Sequence, residues 1–230
     1  DALTISSAVV ESGGGHVVVS GGVLEYTPAA NSAEGATLSY VVSDGELTDS
    51  ATVSVTVTAV NDAPEANADS ASTDEDTPVL IYVLANDADV DGDTLSLARA
   101  AVESGGGSVV ISGGVLEFSP AANSVAAVTL SYVVTDGELT DAGSVQVTIN
   151  PVNDAPVANA DSASTDEDTR VLIDVLVNDT DIDGDALTIS SAAVESGGGR
   201  VVVSGGVLEY TPAANSTEGA TLSYVLSDGE

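Results

Sequence analysis

The stretch that decides the fold is Val109-Val-Ile-Ser-Gly-Gly-Val-Leu-Glu-Phe118, in the middle of the chain. Two short apolar runs flank a glycine pair, which predicts a β-hairpin because a two-residue turn needs positive φ. Further along, Ser144-Val-Gln-Val-Thr-Ile149 alternates apolar and polar residues and predicts a half-buried strand. No stretch of the sequence combines a helical period with capping residues, so we expect an all-β protein.

This pattern belongs to a long internal repeat. Asp1-Ala-Leu-Thr has counterparts that begin at Asp93 and at Asp185, a constant step of 92 residues. The step is kept without insertion at Tyr40, Tyr132 and Tyr224. The 230 residues therefore hold two and a half repeats, and we expect a segment of a longer array. A unit of this length predicts a separate domain rather than one coil of a solenoid.

Two polar segments that end in proline, Val60-Asn-Asp-Ala-Pro64 and Val152-Asn-Asp-Ala-Pro156, predict linkers between domains. We expect residues 1–60 to be the C-terminal part of one domain, 61–152 to be a complete domain and 153–230 to be a domain without its last strand. The complete domain should have about seven strands, at roughly 65–73, 78–85, 94–102, 108–112, 115–119, 129–135 and 143–150. Short strands with a turn about every ten residues predict an immunoglobulin-like sandwich, with Phe118 and the repeated tyrosines as its aromatic core.

The charge of the chain limits its partners. The formal net charge is −34, from 37 acids against three arginines. Such a field repels nucleic acid and anionic membranes and favours a divalent cation such as calcium. An acidic surface that keeps the protein soluble at high salt is the alternative explanation of the charge. The chain has no cysteine for a disulfide and no apolar run long enough to cross a bilayer.

An enzyme is not expected. The only histidine is His16, and its repeat equivalents are Ser108 and Arg200. A catalytic group would not be exchanged so freely between otherwise similar units. The sequence also has no zinc-ligand spacing and no candidate Ser-His-Asp set.

The clearest chemical motif is an acidic loop, Asn86-Asp-Ala-Asp-Val-Asp-Gly-Asp93, which recurs at residues 178–185. Alternating carboxylates around a glycine bend can direct several oxygens at one cation, and four charges this close repel one another strongly without it. The motif predicts calcium, with a solvated acidic turn as the alternative. It is not an EF-hand, because Ala98 and Ser190 stand where that loop needs a glutamate. The candidate ligands are Asp87, Asp89, Asp91 and Asp93, and Asp179, Asp181, Asp183 and Asp185 in the second copy.

The order of these motifs resembles that of the cadherin-like repeats of giant bacterial surface adhesins, including RTX-type secreted adhesins. Glu75 precedes Pro78 at the second predicted strand, and an Asp-X-Asp turn at Asp87 and Asp89 follows that strand. Asp136 lies in a late Asp-Gly turn, and each linker carries an Asn-Asp pair ahead of proline. The likeness covers the whole 92-residue unit and implies cadherin-like sandwiches joined end to end.

The resemblance implies a calcium cluster at each junction between domains. At the first junction the implied ligands are Asn61, Asp62, Asp87, Asp89 and Asp136. At the second junction they are Glu75, Asn153, Asp154, Asp179, Asp181 and Asp228. Glu167, at the repeat position of Glu75, is a further candidate. The linkers have Ala63 and Ala155 where cadherins have a further asparagine, and the Asp-Arg-Glu motif of cadherins is missing, so the number of ions stays open. Asp91 and Asp93, with Asp183 and Asp185, either replace those ligands or form a separate site within each domain.

The resemblance also implies a non-catalytic, extracellular protein that is secreted or held at a bacterial cell surface. Calcium would fix neighbouring repeats of the same chain into a rigid stalk. Two alternatives stay open: the repeats associate with one another in homophilic adhesion or as a filament or sheath, or they bind carbohydrate, as some cadherin-like bacterial repeats do. Neither a nucleic-acid partner nor direct membrane insertion is expected.

Overall fold

The computed structural model describes residues 2–230, and within that range the fold is all-β, as predicted. The first repeat forms β1 (Thr4–Ser12), β2 (His16–Ser20), β3 (Val23–Thr27), β4 (Ala36–Ser43) and β5 (Thr48–Val55). The middle repeat forms β6 (Asp69–Asp74), β7 (Val79–Ile81), β8 (Ser96–Ser104), β9 (Ser108–Ser112), β10 (Val115–Ser119), β11 (Val128–Thr135) and β12 (Thr140–Asn150). The third repeat forms β13 (Val171–Ile173), β14 (Thr188–Ser196), β15 (Arg200–Ser204), β16 (Val207–Thr211) and β17 (Thr221–Ser227).

The helical content of the described residues is two 3₁₀ turns, Val83–Ala85 and Val175–Val177. No helix between residues 2 and 230 has the length and apolar character needed to span a membrane.

The chain divides into two compact units. The first contains the first repeat and most of the middle repeat. The second contains Ile149–Glu230 together with two short pieces of the middle repeat, Asp74–Asp76 and Ala122–Val125. The second unit therefore includes the linker that precedes the third repeat and the two turns of the middle repeat that cluster with it.

The middle repeat is a sandwich of two sheets. One sheet has the strand order β6-β12-β11-β8 and the other has the order β7-β10-β9. Alternate residues of β11 face the core, so Val128, Leu130, Tyr132 and Val134 are fully buried. Phe118 on β10, in the other sheet, is buried as well. The prediction of a sandwich with these two aromatic residues in its core is confirmed.

The predicted hairpin is also confirmed. Gly113 and Gly114 have φ values of 59° and 82°, and the strands pair up to Ser112 and Val115 on either side of them. Two consecutive positive φ values give the tight turn whose twist matches that of the flanking strands. Glycine is needed at Gly105 for another reason, because a Cβ atom there would lie 2.3 Å from a backbone carbonyl oxygen.

Two predicted strands have the wrong bounds. The strand predicted at 78–85 ends at Ile81, and the chain then forms the first 3₁₀ turn. The partner strand is β10, in which Leu116 pairs with Ile81. Because β10 begins at Val115, directly after the glycine turn, it has no residues that could pair with the chain beyond Tyr82. The strand predicted at 65–73 forms only from Asp69, because the preceding segment has a single isolated bridge. The other bounds agree within three residues.

The first and third repeats keep the pairings of the middle one. Their sheets are β1-β4-β5 with β2-β3, and β14-β17 with β13-β16-β15. In the middle repeat β12 lies between β6 and β11, whereas the sequence given stops at Glu230, before the positions equivalent to β12. Residues 161–166, the equivalent of β6, form no strand there, and a cavity of about 1000 Å³ lies between them and β17.

Candidate metal centre

The acidic loop of the middle repeat brings three carboxylates together. The backbone N–H groups of Asp91 and Asp93 donate to Asp89 Oδ1 at 2.9 and 3.4 Å, and Gly92 takes a φ of 81° at the bend. One carboxylate oxygen from each of these three aspartates lies within 4.8 Å of the other two. The third repeat forms the same group with Asp181, Asp183 and Asp185. The loop therefore places three of its four predicted ligands around one point.

The fourth carboxylate, Asp87, is held by the core. Its Oδ1 accepts the backbone N–H of Asn67 at 2.7 Å and the Tyr132 hydroxyl at 3.0 Å. That hydroxyl also lies 2.7 Å from the Asn67 carbonyl oxygen and 3.1 Å from Asp69 Oδ2. Burial raises the pKa of Asp69, and burial with the neighbouring carboxylates raises the pKa of Tyr132 far above its ordinary value. Only Oδ2 of Asp87 is left for a cation. In the third repeat Asp179 Oδ1 accepts the Asn159 N–H in the same way, but the Tyr224 hydroxyl lies 3.3 Å from Oδ1 and 3.2 Å from Oδ2 of Asp179.

Each linker contacts two loops of the repeat that follows it. Asn61 Nδ2 donates to Asp136 Oδ2 at 2.9 Å, and the Asp62 N–H donates to Asp91 Oδ2 at 2.8 Å. Backbone N–H groups in the late turn hold the pKa of Asp136 below its ordinary value. The second linker repeats both contacts, from Asn153 to Asp228 and from Asp154 to Asp183. In both linkers the asparagine thus lies against the Asp-Gly turn and the aspartate against the acidic loop.

A third acidic group lies within the second unit. Carboxylate oxygens of Glu75, Asp76 and Asp154 lie within 4.8 Å of one another. The Glu75 side chain is only 5% exposed, and its Oε1 accepts the N–H of Val152 at 2.8 Å. No arginine neutralises this group, because the one ion pair of the described residues joins an arginine to a glutamate elsewhere in the third repeat. A shielded carboxylate beside two others is costly without a cation.

The predicted set and the observed groups differ. The predicted ligands of the second junction are divided, with Glu75 and Asp154 in one group and Asp181 in another. The predicted ligands that belong to none of the three groups of residues 2–230 include Asp62, Asp87, Asp136, Asp179 and Asp228.

Glu167, at the repeat position of Glu75, is exposed and belongs to none of the acidic groups of residues 2–230. Asp76 was not predicted, although it follows Glu75 directly. Asn123, which contacts both Asp76 and Asp154, was also missed. The available signal was its recurrence as Asn31 and Asn215 in the three repeats.

The donor atoms fit calcium. Three buried carboxylate oxygens have no hydrogen-bond partner among the described residues: Oδ2 of Asp87, Asp89 and Asp181. An unsatisfied buried acceptor costs about 1–3 kcal/mol, and more when it is charged. A bound cation would satisfy these oxygens, and an all-oxygen donor set without thiolate or imidazole suits a hard ion. The carboxylates that would hold it are those of the two acidic loops and of the group around Glu75.

Comparison with known families places this site in context. The sequence profile of the family described as Bacterial Ig domain matches residues 1–56 and 153–230, which together exceed half of the chain. The chain belongs to the bacterial Ig domain family. The profile described as Cadherin-like domain matches residues 60–150 of this bacterial Ig protein. No curated protein matches its sequence.

Three solved structures are similar to the bacterial Ig protein at low identity. PcdhgB3 EC1-4 is 14% identical over 98% of this chain and 65% of its own, with a TM-score of 0.45. The human desmocollin-1 ectodomain is 13% identical over 97% and 50%, with a TM-score of 0.39. The endo-fucoidan hydrolase MfFcnA4, from glycoside hydrolase family 107, is 17% identical over 96% and 38%, with a TM-score of 0.34. This chain thus spans little more than a third of the hydrolase, and at these scores no activity is transferred to it.

The two families allow a coarse description. Bacterial Ig and cadherin-like domains indicate an extracellular or surface protein, and they are consistent with a role in adhesion or as a stalk. Such domains are generally non-catalytic. Cadherin-like domains usually bind calcium, and this chain has acidic groups that can hold a metal ion.

Proposed function

We propose that this chain is a calcium-stiffened, non-catalytic stalk segment of a bacterial surface adhesin of the RTX type. The observation that carries the proposal is the acidic group in which Glu75 and Asp76 of the middle repeat lie beside Asp154 of the linker. Asp154 also donates its backbone N–H to Asp183 in the third repeat. A cation bound by this group would be held by residues of the middle repeat and of the linker, and the same linker residue is hydrogen-bonded to the third repeat.

Electrostatics gives the cation its effect. Two carboxylates 4.8 Å apart repel by about 1–3 kcal/mol, depending on how far water screens them. Three such pairs meet around Glu75, and the net charge of −34 adds a background of the same sign. Without calcium this repulsion favours an open linker. When calcium is bound, each carboxylate is attracted to the cation, and the linker residues are fixed to the repeats on both sides.

The proposed domains are 1–60, 61–152 and 153–230, the divisions given by the linkers. Calcium at each linker would turn a flexible string of these domains into a rod. A rod gives reach, since it holds a ligand-binding module of the full-length protein away from the bacterial surface. The direct partners of this segment are then the neighbouring repeats of its own chain.

The two alternatives make different demands on the surface. Carbohydrate binding has one exposed aromatic ring in its favour, Tyr82, but the residue at that position in the third repeat is Asp174. Self-association into a filament would make the sedimentation coefficient depend on protein concentration. Analytical ultracentrifugation therefore distinguishes a filament from a stalk, and a glycan array distinguishes a carbohydrate-binding module from a stalk.

The proposal is tested by titrating calcium into the 230-residue chain by calorimetry, with small-angle scattering in calcium and in chelator. We expect saturable binding of several ions, and a scattering profile that becomes more extended and rigid in calcium. Glu75→Gln should weaken at least one site, because it removes the most shielded carboxylate of the linker group. Glu103→Gln is the matched control, since it removes one charge from an exposed position of the same repeat that lies outside every acidic group.

Two results would overturn the proposal. One is the absence of calcium binding at millimolar concentration. The other is a scattering profile that is the same in calcium and in chelator, which would leave the chain as an acidic β-array whose role lies in self-association or sugar binding.

A further inference from the structure

A turn that the acidic motifs do not include also reaches the second linker. The turn follows β3, β10 and β16 in the three repeats, and it carries Asn31, Asn123 and Asn215 respectively. All three asparagines have positive φ, at 55°, 52° and 55°. Asparagine tolerates this conformation better than other residues with a side chain, apart from aspartate. The recurrence shows that the left-handed turn is a fixed part of the repeat.

One contact of this turn is common to the middle and third repeats. The Asn123 backbone N–H donates to Asp76 Oδ1 at 3.0 Å, and the Asn215 N–H donates to Asp168 Oδ1 at 2.9 Å. Both acceptors also have positive φ, 57° and 56°. The backbone contact thus joins two left-handed residues of the same repeat and involves no linker.

The side-chain contact occurs at Asn123. Its Nδ2 donates to Asp154 Oδ2 at 3.0 Å, across 31 residues of sequence. The Asn215 amide has no hydrogen-bond partner within residues 2–230, although its backbone is placed in the same way. The position 31 residues after Asn215, equivalent to Asp154, lies beyond Glu230. In this 230-residue chain Asn215 therefore makes the backbone contact without the linker contact, and the two asparagines serve as test and control positions.

This amide lies where a neutral donor is most needed. Glu75, Asp76 and Asp154 converge within 4.8 Å with no basic residue beside them. Asn123 donates to two of these three carboxylates, one through its backbone and one through its side chain. An uncharged donor can hold Asp154 in this group while leaving the charge of the group intact for a cation.

We propose that Asn123 is a positioning residue that latches linker residue Asp154 beside Glu75 and Asp76 before any cation binds. The inference rests on the proposed function, in which those three carboxylates bind calcium. The latch offsets part of the repulsion that favours an open linker, so the carboxylates are gathered in a larger fraction of the cation-free molecules. Asn123 would therefore act on both the cation-free order of the linker and the affinity for calcium.

The test is hydrogen exchange of the linker amides in chelator, followed by calcium titration of the same proteins. Asn123→Gly keeps the positive φ and the backbone N–H but removes the amide, and Asn215→Gly makes the same change at the control position. We expect Asn123→Gly to speed exchange at residues 152–154 by about five-fold and to weaken calcium binding by a similar factor. Asn215→Gly should match the wild type in both measurements.

A second variant guards against a change in the fold. Asn123→Asp also tolerates positive φ but puts a fourth carboxylate beside Asp154, so exchange in chelator should rise further than in Asn123→Gly. Unchanged melting of the middle repeat separates this local effect from unfolding. Equal linker exchange in the wild type and both Asn123 variants would overturn the role of Asn123. A wild-type chain that binds no calcium would instead overturn the proposed function.

Discussion

Replacing Tyr132 with phenylalanine removes one oxygen atom and leaves the buried ring in place. The hydroxyl lies 2.7 Å from the Asn67 carbonyl oxygen, 3.0 Å from Asp87 Oδ1 and 3.1 Å from Asp69 Oδ2. A hydroxyl has one proton, so it can donate to one of these acceptors at a time. The variant therefore removes one hydrogen bond, shared among three acceptors of which two are carboxylates.

The expected cost follows from that count. A buried hydrogen bond to a charged group contributes about 1.5–3 kcal/mol, so we expect Tyr132→Phe to destabilise the middle repeat by about 2 kcal/mol. For a domain of this size each kcal/mol shifts the melting temperature by about 4–8 °C, which predicts a fall of about 10 °C. Tyr40→Phe is the control in this 230-residue chain, because the positions equivalent to Asn67, Asp69 and Asp87 precede residue 1 and the Tyr40 hydroxyl has no hydrogen-bond partner within the described residues.

The assay is scanning calorimetry of the whole chain in chelator, with hydrogen exchange of β11 to assign the transition of the middle repeat. Equal shifts for Tyr132→Phe and Tyr40→Phe, or a shift below about 2 °C for Tyr132→Phe, would refute the reasoning. The pH dependence gives a second check. Because the pKa of Tyr132 is raised in the folded state, its contribution is complete below the ordinary tyrosine value near 10 and is lost as the pH rises above it. The stability of Tyr132→Phe should not show this decrease at high pH.

Three further predictions concern packing, turns and pH. Gly105→Ala should lower the free energy of unfolding of the middle repeat by more than about 3 kcal/mol, because the added Cβ would lie 2.3 Å from a carbonyl oxygen. Gly114→Ala should lower it by only about 1–2 kcal/mol, because the added Cβ meets no atom within 4 Å and the cost comes from the positive φ alone. Urea unfolding measures both. Val145→Ala should cost about 2–3 kcal/mol in the same assay because Val145 is fully buried, and Val53→Ala at the same repeat position should cost less because Val53 is 37% exposed. Backbone N–H groups lower the pKa of Asp44 in the folded state, so its stabilising effect is present above the ordinary aspartate value near 4 and is lost as the pH falls below it. The difference in melting temperature between the wild type and Asp44→Asn should therefore shrink as the pH is lowered from about 7 to about 3.

The features predicted correctly from the sequence are those with local causes. The Gly113-Gly114 hairpin follows from turn geometry, and the burial of Tyr132 follows from the period-two alternation of its strand. The early end of the strand at Ile81 has a remote cause, because it depends on where β10 begins. A continuous apolar run gives no sign that its partner strand has ended.

The same distinction applies to the acidic groups. The grouping of Asp89, Asp91 and Asp93 depends on one turn, and alternate spacing was enough to predict it. Asn123 and Asp154 meet only because two left-handed turns bring segments 31 residues apart into contact. Conformations of this kind leave a weak trace in a single sequence, here an asparagine repeated three times between small residues.

The position of β12 between β6 and β11 has a consequence for biosynthesis. About seventy residues separate the start of β6 from the start of its only sheet neighbour, so β6 waits unpaired for about 4–14 s of translation. During that interval the last strand of the preceding repeat, β5, is already synthesised, and it is identical to the equivalent part of β12 at four of eight positions. Because half of these positions are shared, the side chains separate the correct partner from the earlier copy only in part, and the order of synthesis is a second source of selectivity.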